Sequence, residues 1–307
     1  MEILRFFESI RNPVLDGFFS LVTHLGEETP FILLGIIFYW CISKKNGYFI
    51  FLVGFMGTLF NQFLKLLCRV PRPWVLDKNF TIVESARAEA TGYSFPSGHT
   101  QSAVGSFGAI ARMYKNIWVR IICISICILV PISRMYLGVH TPLDVGVAFL
   151  MAAIMILVLY PFLNYMYEKK NGMRVIFISM IGIAVAYLLF VLLYPFPADI
   201  DPHNFLSGTK NAYKILGCSL GLWMSYEIDN RFLHFETKSA WWVHILKIAL
   251  GLIPILAVKE GLRAPLDAIF GGHLMADCIR YFLLTLVAGG IWPMTFKYFN
   301  RLSKKSK

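Results

Sequence analysis

Long apolar runs separated by short polar connections cover most of the chain, near residues 29–43, 48–67, 98–114, 117–132, 142–163, 174–194, 211–227, 241–258 and 274–296. About 20 apolar residues in a helix cross the ~30 Å hydrocarbon core of a bilayer, and these runs reach or approach that length. The pattern predicts an all-α fold, a polytopic transmembrane helical bundle of eight or nine spans. The runs at 29–43 and 117–132 are the shortest, and need an earlier start or a locally thinned bilayer. Ahead of them, Leu4, Phe6, Phe7, Ile10, Val14, Leu15, Phe18 and Phe19 are interspersed with Glu2, Arg5, Glu8, Arg11 and Asp16. That spacing suits an amphipathic segment lying in the membrane interface. Glu2, Pro13 and the lack of a small-residue cleavage site argue against a removed signal peptide.

Composition agrees with a lipid solvent: 57% of the 307 residues are hydrophobic and only 15% charged, against roughly half and a quarter in soluble domains. The net charge of +11 would suit nucleic acid if it were gathered on one face, but it is divided among short connections, which excludes nucleic acid as a partner. Lys44 and Lys45, then Arg112, Lys115 and Arg120, then Lys169, Lys170 and Arg174, then Arg231 and Lys238, and finally Lys297, Arg301, Lys304, Lys305 and Lys307 mark alternate connections and the tail. Basic loops stay cytoplasmic, so the N-terminus is expected outside. The polar segments 68–97, 133–141, 195–210 and 259–273 then share the outer face. Of the six cysteines, Cys123 and Cys127 have the spacing of a metal pair but no neighbouring histidine, so packing is the expectation.

Ionisable residues at span ends are costly and point to function. Lys65 is followed by Arg72 and Pro73, where Pro71 and Pro73 break the second run. Pro96-Ser97-Gly98-His99 opens the third run, with Ser97 able to cap the helix and Gly98 leaving its N–H groups open to an anion. Ser133-Arg134, His140 and Asp144 join the fourth run to the fifth, with Thr141 as a potential cap and Pro142 at the first helical position. Lys65, Arg72 and Arg134 supply cations for a phosphoryl group. His140 and Asp144 stand one helical turn apart, so the carboxylate can take the Nδ1 proton and leave Nε2 as a nucleophile. His99 has no carboxylate nearby in sequence and is the better candidate for a general acid.

Lys65…Arg72-Pro73, Pro96-Ser97-Gly98-His99 and Ser133-Arg134…His140…Asp144 resemble the three signature motifs of the type 2 phosphatidic acid phosphatase superfamily, over residues about 29–163. The resemblance implies a helical catalytic core over 29–163, between an interfacial segment at 1–28 and additional transmembrane helices of unassigned role at 164–307. It implies a phosphatase that uses no metal or other cofactor. His140 is the implied nucleophile that forms a phosphohistidine, Asp144 its orienting carboxylate, and His99 the leaving-group acid. Lys65, Arg72, Ser97, Gly98 and Arg134 are the implied phosphate-binding residues. The expected substrate is a lipid phosphate or diphosphate drawn from the surrounding membrane lipids. The stretch Thr91–Ala103 is similar to bacterial members, which suggests an undecaprenyl-diphosphate type substrate and a bacterial plasma membrane with the site on its outer face; phosphatidic acid and phosphatidylglycerophosphate stay open. Two alternatives are a water-soluble sugar phosphate as substrate, suggested by a nine-span map with the N-terminus outside, and a non-enzymatic phosphate clamp. His273 and Asp277 repeat the His-x-x-x-Asp spacing, but Leu266 and Asp267 stand where Ser and Arg would be needed.

Overall fold

The structure, a computed structural model, describes residues 1–305, with side chains through 302. Lys304, Lys305 and Lys307 of the basic tail lie outside the described side chains. Among the described residues there is no strand. The helices are α1 (Glu2–Ser9), α2 (Pro13–Thr23), α3 (Glu28–Ile37), α4 (Lys44–Cys68), α5 (Pro73–Leu76), α6 (Gly98–Ala103), α7 (Ala109–Met113), α8 (Ile117–Tyr136), α9 (Pro142–Tyr167), α10 (Gly172–Leu193), α11 (Pro202–Ile228), α12 (Trp241–Leu256), α13 (Arg263–Ile269), α14 (Met275–Leu286) and α15 (Phe296–Lys305).

The chain is an integral membrane protein. Six helical stretches are long and apolar enough to cross a bilayer, or seven if Pro13–Gly26 and Glu28–Ile42, bent by 50°, form one span. The expected eight or nine spans are therefore not reached, for two reasons of length and polarity. Residues 98–113 run through α6, a wide π-type turn at Val104–Gly108 and α7, about 24 Å of helix at 1.5 Å per residue. Helix α11 has 27 residues, but Asn204, Lys210, Asn211, Lys214 and Glu227 make it too polar to qualify.

Two compact units divide the chain. The first comprises residues 1–35, 49–162 and 196–208. In it α8 turns one face inward, burying Cys123, Cys127, Val130 and Arg134 at helical spacing. Val130 packs with Val22 and Ala103, and Cys127 with Val104 and Ala152. The cysteine pair is thus core, as its isolation in the sequence suggested. The N-terminal segment folds as two helices with a buried and an exposed side. Leu4 packs on Phe80 and Ile82, while Phe7, Leu15 and Phe19 pack on the cluster of Tyr136, Leu137 and Val139. Ile3, Phe6, Ile10, Val14, Phe18 and Leu21 remain exposed, an apolar face suited to lipid. Asn12 caps α2 by accepting from the N–H groups of Val14 and Leu15, and Asp16 accepts from the Tyr136 hydroxyl at 2.7 Å.

The second unit comprises residues 36–48, 163–195 and 209–307. Its packing rests on small residues one helical turn apart on α11. A methyl group on Gly217 would lie 2.1 Å from the Cys278 carbonyl oxygen of α14, and one on Gly221 2.7 Å from the Phe282 carbonyl oxygen. Ser225 continues the stripe, donating to the Thr285 carbonyl at 3.3 Å. Small residues spaced by four let membrane helices approach backbone to backbone. Because the obstacle is backbone, which cannot swing aside, Gly217→Ala is expected to destabilise the detergent-solubilised protein by about 1–3 kcal/mol through overpacking. Gly182→Ala, where nothing lies within 4 Å, is the matched control and should cost nothing in the same thermal-unfolding measurement.

Candidate active site

Helix α4 ends at Cys68. Arg69 follows in the left-handed region with φ of 48°, its N–H still bonded to the Lys65 carbonyl. Pro71 and Pro73 then keep the residues before them out of helical geometry, and Pro73 itself opens the short helix α5 at its first position. Arg72 is consequently extended at the start of α5, and its side chain turns into the 69–97 loop. Nε donates to the Gly92 carbonyl at 3.1 Å, Nη2 to the Thr91 carbonyl at 2.8 Å, and Nη1 to the Val139 carbonyl at 3.0 Å. Nη1 also lies 2.9 Å from His140 Nε2.

That last contact assigns the tautomer. A guanidinium only donates, so Nε2 must present its lone pair and Nδ1 must carry the proton. Nδ1 faces Asp144 Oδ2 at 3.5 Å and Ser94 Oγ at 3.4 Å. Ser94 donates its hydroxyl proton to Asp144 Oδ2 at 2.5 Å, which leaves the Ser94 oxygen free to accept from Nδ1. The same Asp144 oxygen accepts from the Thr141 N–H at 2.7 Å, and Thr141 Oγ1 accepts from the Asp144 N–H at 3.3 Å. This reciprocal pair is a capping box at the start of α9. The carboxylate is therefore fixed by the helix start itself.

Ser97 caps α6 by accepting from the Thr100 N–H at 3.3 Å, while its own N–H donates to the Asp144 carbonyl at 3.1 Å. A methyl group on Gly98 would meet nothing nearer than Asn61 Oδ1 at 4.0 Å, so the helix start is open on that side. His99 Nε2 is buried and has no hydrogen-bond partner. Lys65, nine-tenths buried, donates to the Tyr93 carbonyl. Arg134 is fully buried, and Nη1 donates to Thr23 Oγ1 at 2.8 Å. Its Nε and Nη2 groups are buried without partners. These two nitrogens form one edge of the guanidinium, the side that grips two oxygens of a phosphate or carboxylate. Buried N–H groups without acceptors are expensive, and an oxyanion would satisfy them.

All eight residues singled out in the sequence thus fall in the first unit, on α4, α5, α6, the end of α8 and the turn into α9. Burial, followed by the charges of Arg72, Arg134 and Lys65 and by His99, pushes the His140 imidazole well below its ordinary range. Ser94 and Thr23 escaped sequence reasoning. Ser94 sits in the quoted 91–103 stretch without a spacing of its own, and Thr23 lies 111 residues from Arg134, with no local signal. A cavity of about 20 Å³ beside Lys65 is lined by Gln62, Tyr93, Asn204 and Ser207. It has room for one or two waters, and it draws the start of α11 into the neighbourhood of the site.

A family model described as the PAP2 superfamily matches residues 46–168, and a second, described as a PAP2 superfamily phosphatase transmembrane extension, matches residues 213–305. The second match covers helices that carry no motif of their own. A probable sphingosine-1-phosphate phosphatase of Dictyostelium discoideum is 30% identical over 174 residues, which is 52% of this chain and 42% of that protein. Sphingosine-1-phosphate phosphatase 1 of Mus musculus is 24% identical over 273 residues, 82% of this chain and 60% of its own length. The undecaprenyl-diphosphatase BcrC of Bacillus subtilis (strain 168) is 31% identical over 139 residues, 45% of this chain and 69% of that protein. The chain thus spans less than two thirds of the two eukaryotic relatives. No solved structure matches. Because eukaryotic and bacterial relatives both appear, they do not single out the bacterial plasma membrane expected from residues 91–103.

Two measurements follow from the geometry. Orthovanadate or inorganic phosphate should raise the unfolding temperature of the purified protein, by the equivalent of about 2.7 kcal/mol at one hundred times Kd. Arg134→Lys, which loses the two-pronged edge, should abolish most of that shift. The imidazole of His140 should titrate below pH 6.5 in nitrogen-detected NMR of the free protein, because burial and the surrounding cations disfavour its protonated form.

Proposed function

Because the chain belongs to the PAP2 superfamily, we propose that it is a membrane phosphatase that hydrolyses lipid phosphates or diphosphates through a phosphohistidine intermediate. The observation that carries this reading is His140, with its Nε2 lone pair against Arg72 and its Nδ1 proton backed by Ser94 and Asp144. A bound phosphoryl group takes the free edge of Arg134, the open N–H groups at Gly98 and His99, and Lys65. Arg72 turns from His140 Nε2 to a phosphoryl oxygen, which frees the lone pair.

Nε2 then attacks phosphorus. The Nε2–P bond forms as the P–O bond to the lipid breaks, and His99 gives its proton to the departing oxygen. The negative substrate favours the protonated form of His99 that this step needs. As positive charge develops on the His140 ring, the Asp144 carboxylate, fixed by the capping box, stabilises it. In the second half, water gives a proton to His99 and attacks phosphorus, the P–N bond breaks, and inorganic phosphate leaves. Fixed cations and N–H groups around the transferred phosphoryl supply most of the stabilisation in such reactions.

A lipid substrate suits a site set among membrane helices, because the head group can enter while the tail stays in hydrocarbon. The sugar-phosphate alternative rested on a nine-span map, and the six or seven helices long and apolar enough to cross a bilayer lend it no further support. Among lipids, the long alignment with the mouse sphingosine-1-phosphate phosphatase supports testing sphingosine 1-phosphate as well as undecaprenyl diphosphate.

The test is phosphate release by the detergent-purified chain from sphingosine 1-phosphate, undecaprenyl diphosphate, phosphatidic acid, phosphatidylglycerophosphate and glucose 6-phosphate, with EDTA present. Release from a lipid that His140→Ala abolishes supports the reading. Release only from glucose 6-phosphate restores the sugar-phosphate alternative, and none at all from folded protein points to the clamp. Ser94→Ala should lower kcat by roughly tenfold, about 1.4 kcal/mol in barrier height, because the ring loses its oxygen partner while the nucleophile stays.

A further inference from the structure

We propose that the turn ending α2, Thr23 to Gly26, is a positioning element of the phosphate site: the Thr23 hydroxyl sets the plane of the Arg134 guanidinium, and Gly26 seats the same turn on the backbone of His99. The inference rests on the reading of Arg134 and His99 as parts of a phosphate site.

Three contacts carry it. Val22 packs into the cluster with Ala103 of α6 and Val130 of α8. Thr23, itself buried, accepts from Arg134 Nη1 at 2.8 Å. Gly26, also buried, comes so near α6 that a methyl group there would lie 2.7 Å from the His99 carbonyl oxygen and 2.9 Å from the Val130 side chain. The other end of α2 is tied to the same unit: Arg11 donates to the Tyr136 and Thr81 carbonyls at 3.1 and 2.8 Å, and Glu8 accepts from the Thr81 N–H at 2.8 Å.

Arg134 presents five N–H groups in one rigid plane. Anchoring Nη1 on a hydroxyl fixes that plane and leaves Nε and Nη2, the edge suited to two phosphoryl oxygens, as the nitrogens without partners. Without the hydroxyl the plane can rotate about the last side-chain bonds, and Nη1 becomes a third buried nitrogen lacking an acceptor. Thr23 touches no substrate in this arrangement; it acts through Arg134.

The experiment measures inhibition by orthovanadate, and KM and kcat for the best lipid substrate, in the full-length protein and in Thr23→Val, Thr23→Ser, Gly26→Ala, Arg134→Lys and the double variant Thr23→Val with Arg134→Lys. Thr23→Val should weaken vanadate binding and raise KM by about tenfold, corresponding to ~1.4 kcal/mol, with a smaller change in kcat. Thr23→Ser, which keeps the hydroxyl, should restore wild-type values, and Gly26→Ala should weaken vanadate in the same direction. In the Arg134→Lys background Thr23→Val should have less than a twofold further effect, since coupled residues do not add. Unchanged vanadate binding in Thr23→Val overturns the proposal, and so does an equal effect in both backgrounds, which is the signature of a general structural role. If Thr23→Val does not fold, the Thr23→Ser and Gly26→Ala arms decide by the same criteria. Wild-type protein that binds neither vanadate nor phosphate refutes the phosphate-site reading itself, a result separate from any behaviour of the turn.

Discussion

A guanidinium removed from water must find acceptors or an anion, since leaving a charge buried and unpaired costs several kcal/mol, on the order of 3–5. The first unit buries Arg72, Arg134 and Lys65 almost completely. Arg72 meets the requirement with three carbonyls and a histidine nitrogen. The 69–97 loop is shaped by that demand, since Thr91 and Gly92 must turn their oxygens inward. Arg134 meets it only in part, through Thr23. Arg72 thus has a partner on each of its three nitrogens, whereas Arg134 keeps one guanidinium edge without an acceptor.

His140, the candidate nucleophile, depends on the same constraint. Because Arg72 can only donate, it imposes the lone-pair tautomer on His140 Nε2 and sends the proton toward Ser94 and Asp144. Asp144 serves twice, as partner of the Thr141 N–H in the capping box and as carboxylate for the His140 side. One oxygen atom thereby ties the register of α9 to the orientation of the imidazole. A shift of the helix start by one residue would undo both.

Assembly of the site also requires segments far apart in the chain to meet. The N-terminal helices carry an exposed apolar side and a side packed on Tyr136 and Leu137. Their end delivers Val22, Thr23 and Gly26 to α6 and α8. A segment read from its spacing as an interfacial helix thus packs one side against the elements that carry Arg134 and His99. In the second unit, the glycines of α11 do comparable work for helix packing, where the approach of backbone to backbone leaves no room for a side chain.

By itself the sequence determined the solvent, the helical class and the chemical inventory. Apolar run length reports directly on the bilayer, and Lys65, Arg72, Ser97, Gly98, His99, Arg134, His140 and Asp144 stand in motifs whose spacing is local. Thr141 and Asp144 were legible as a helix start for the same reason: a capping box is closed within four residues. Span count was less legible, because α11 is long but polar and the α6–α7 stretch is apolar but short. Only the tertiary structure decided which nitrogen of His140 presents its lone pair, which edge of the Arg134 guanidinium lacks a partner, and that Ser94 lies against His140 and Thr23 against Arg134. Those facts depend on contacts between residues 46 to 111 positions apart, and no periodicity along the chain records a hydrogen bond across the fold.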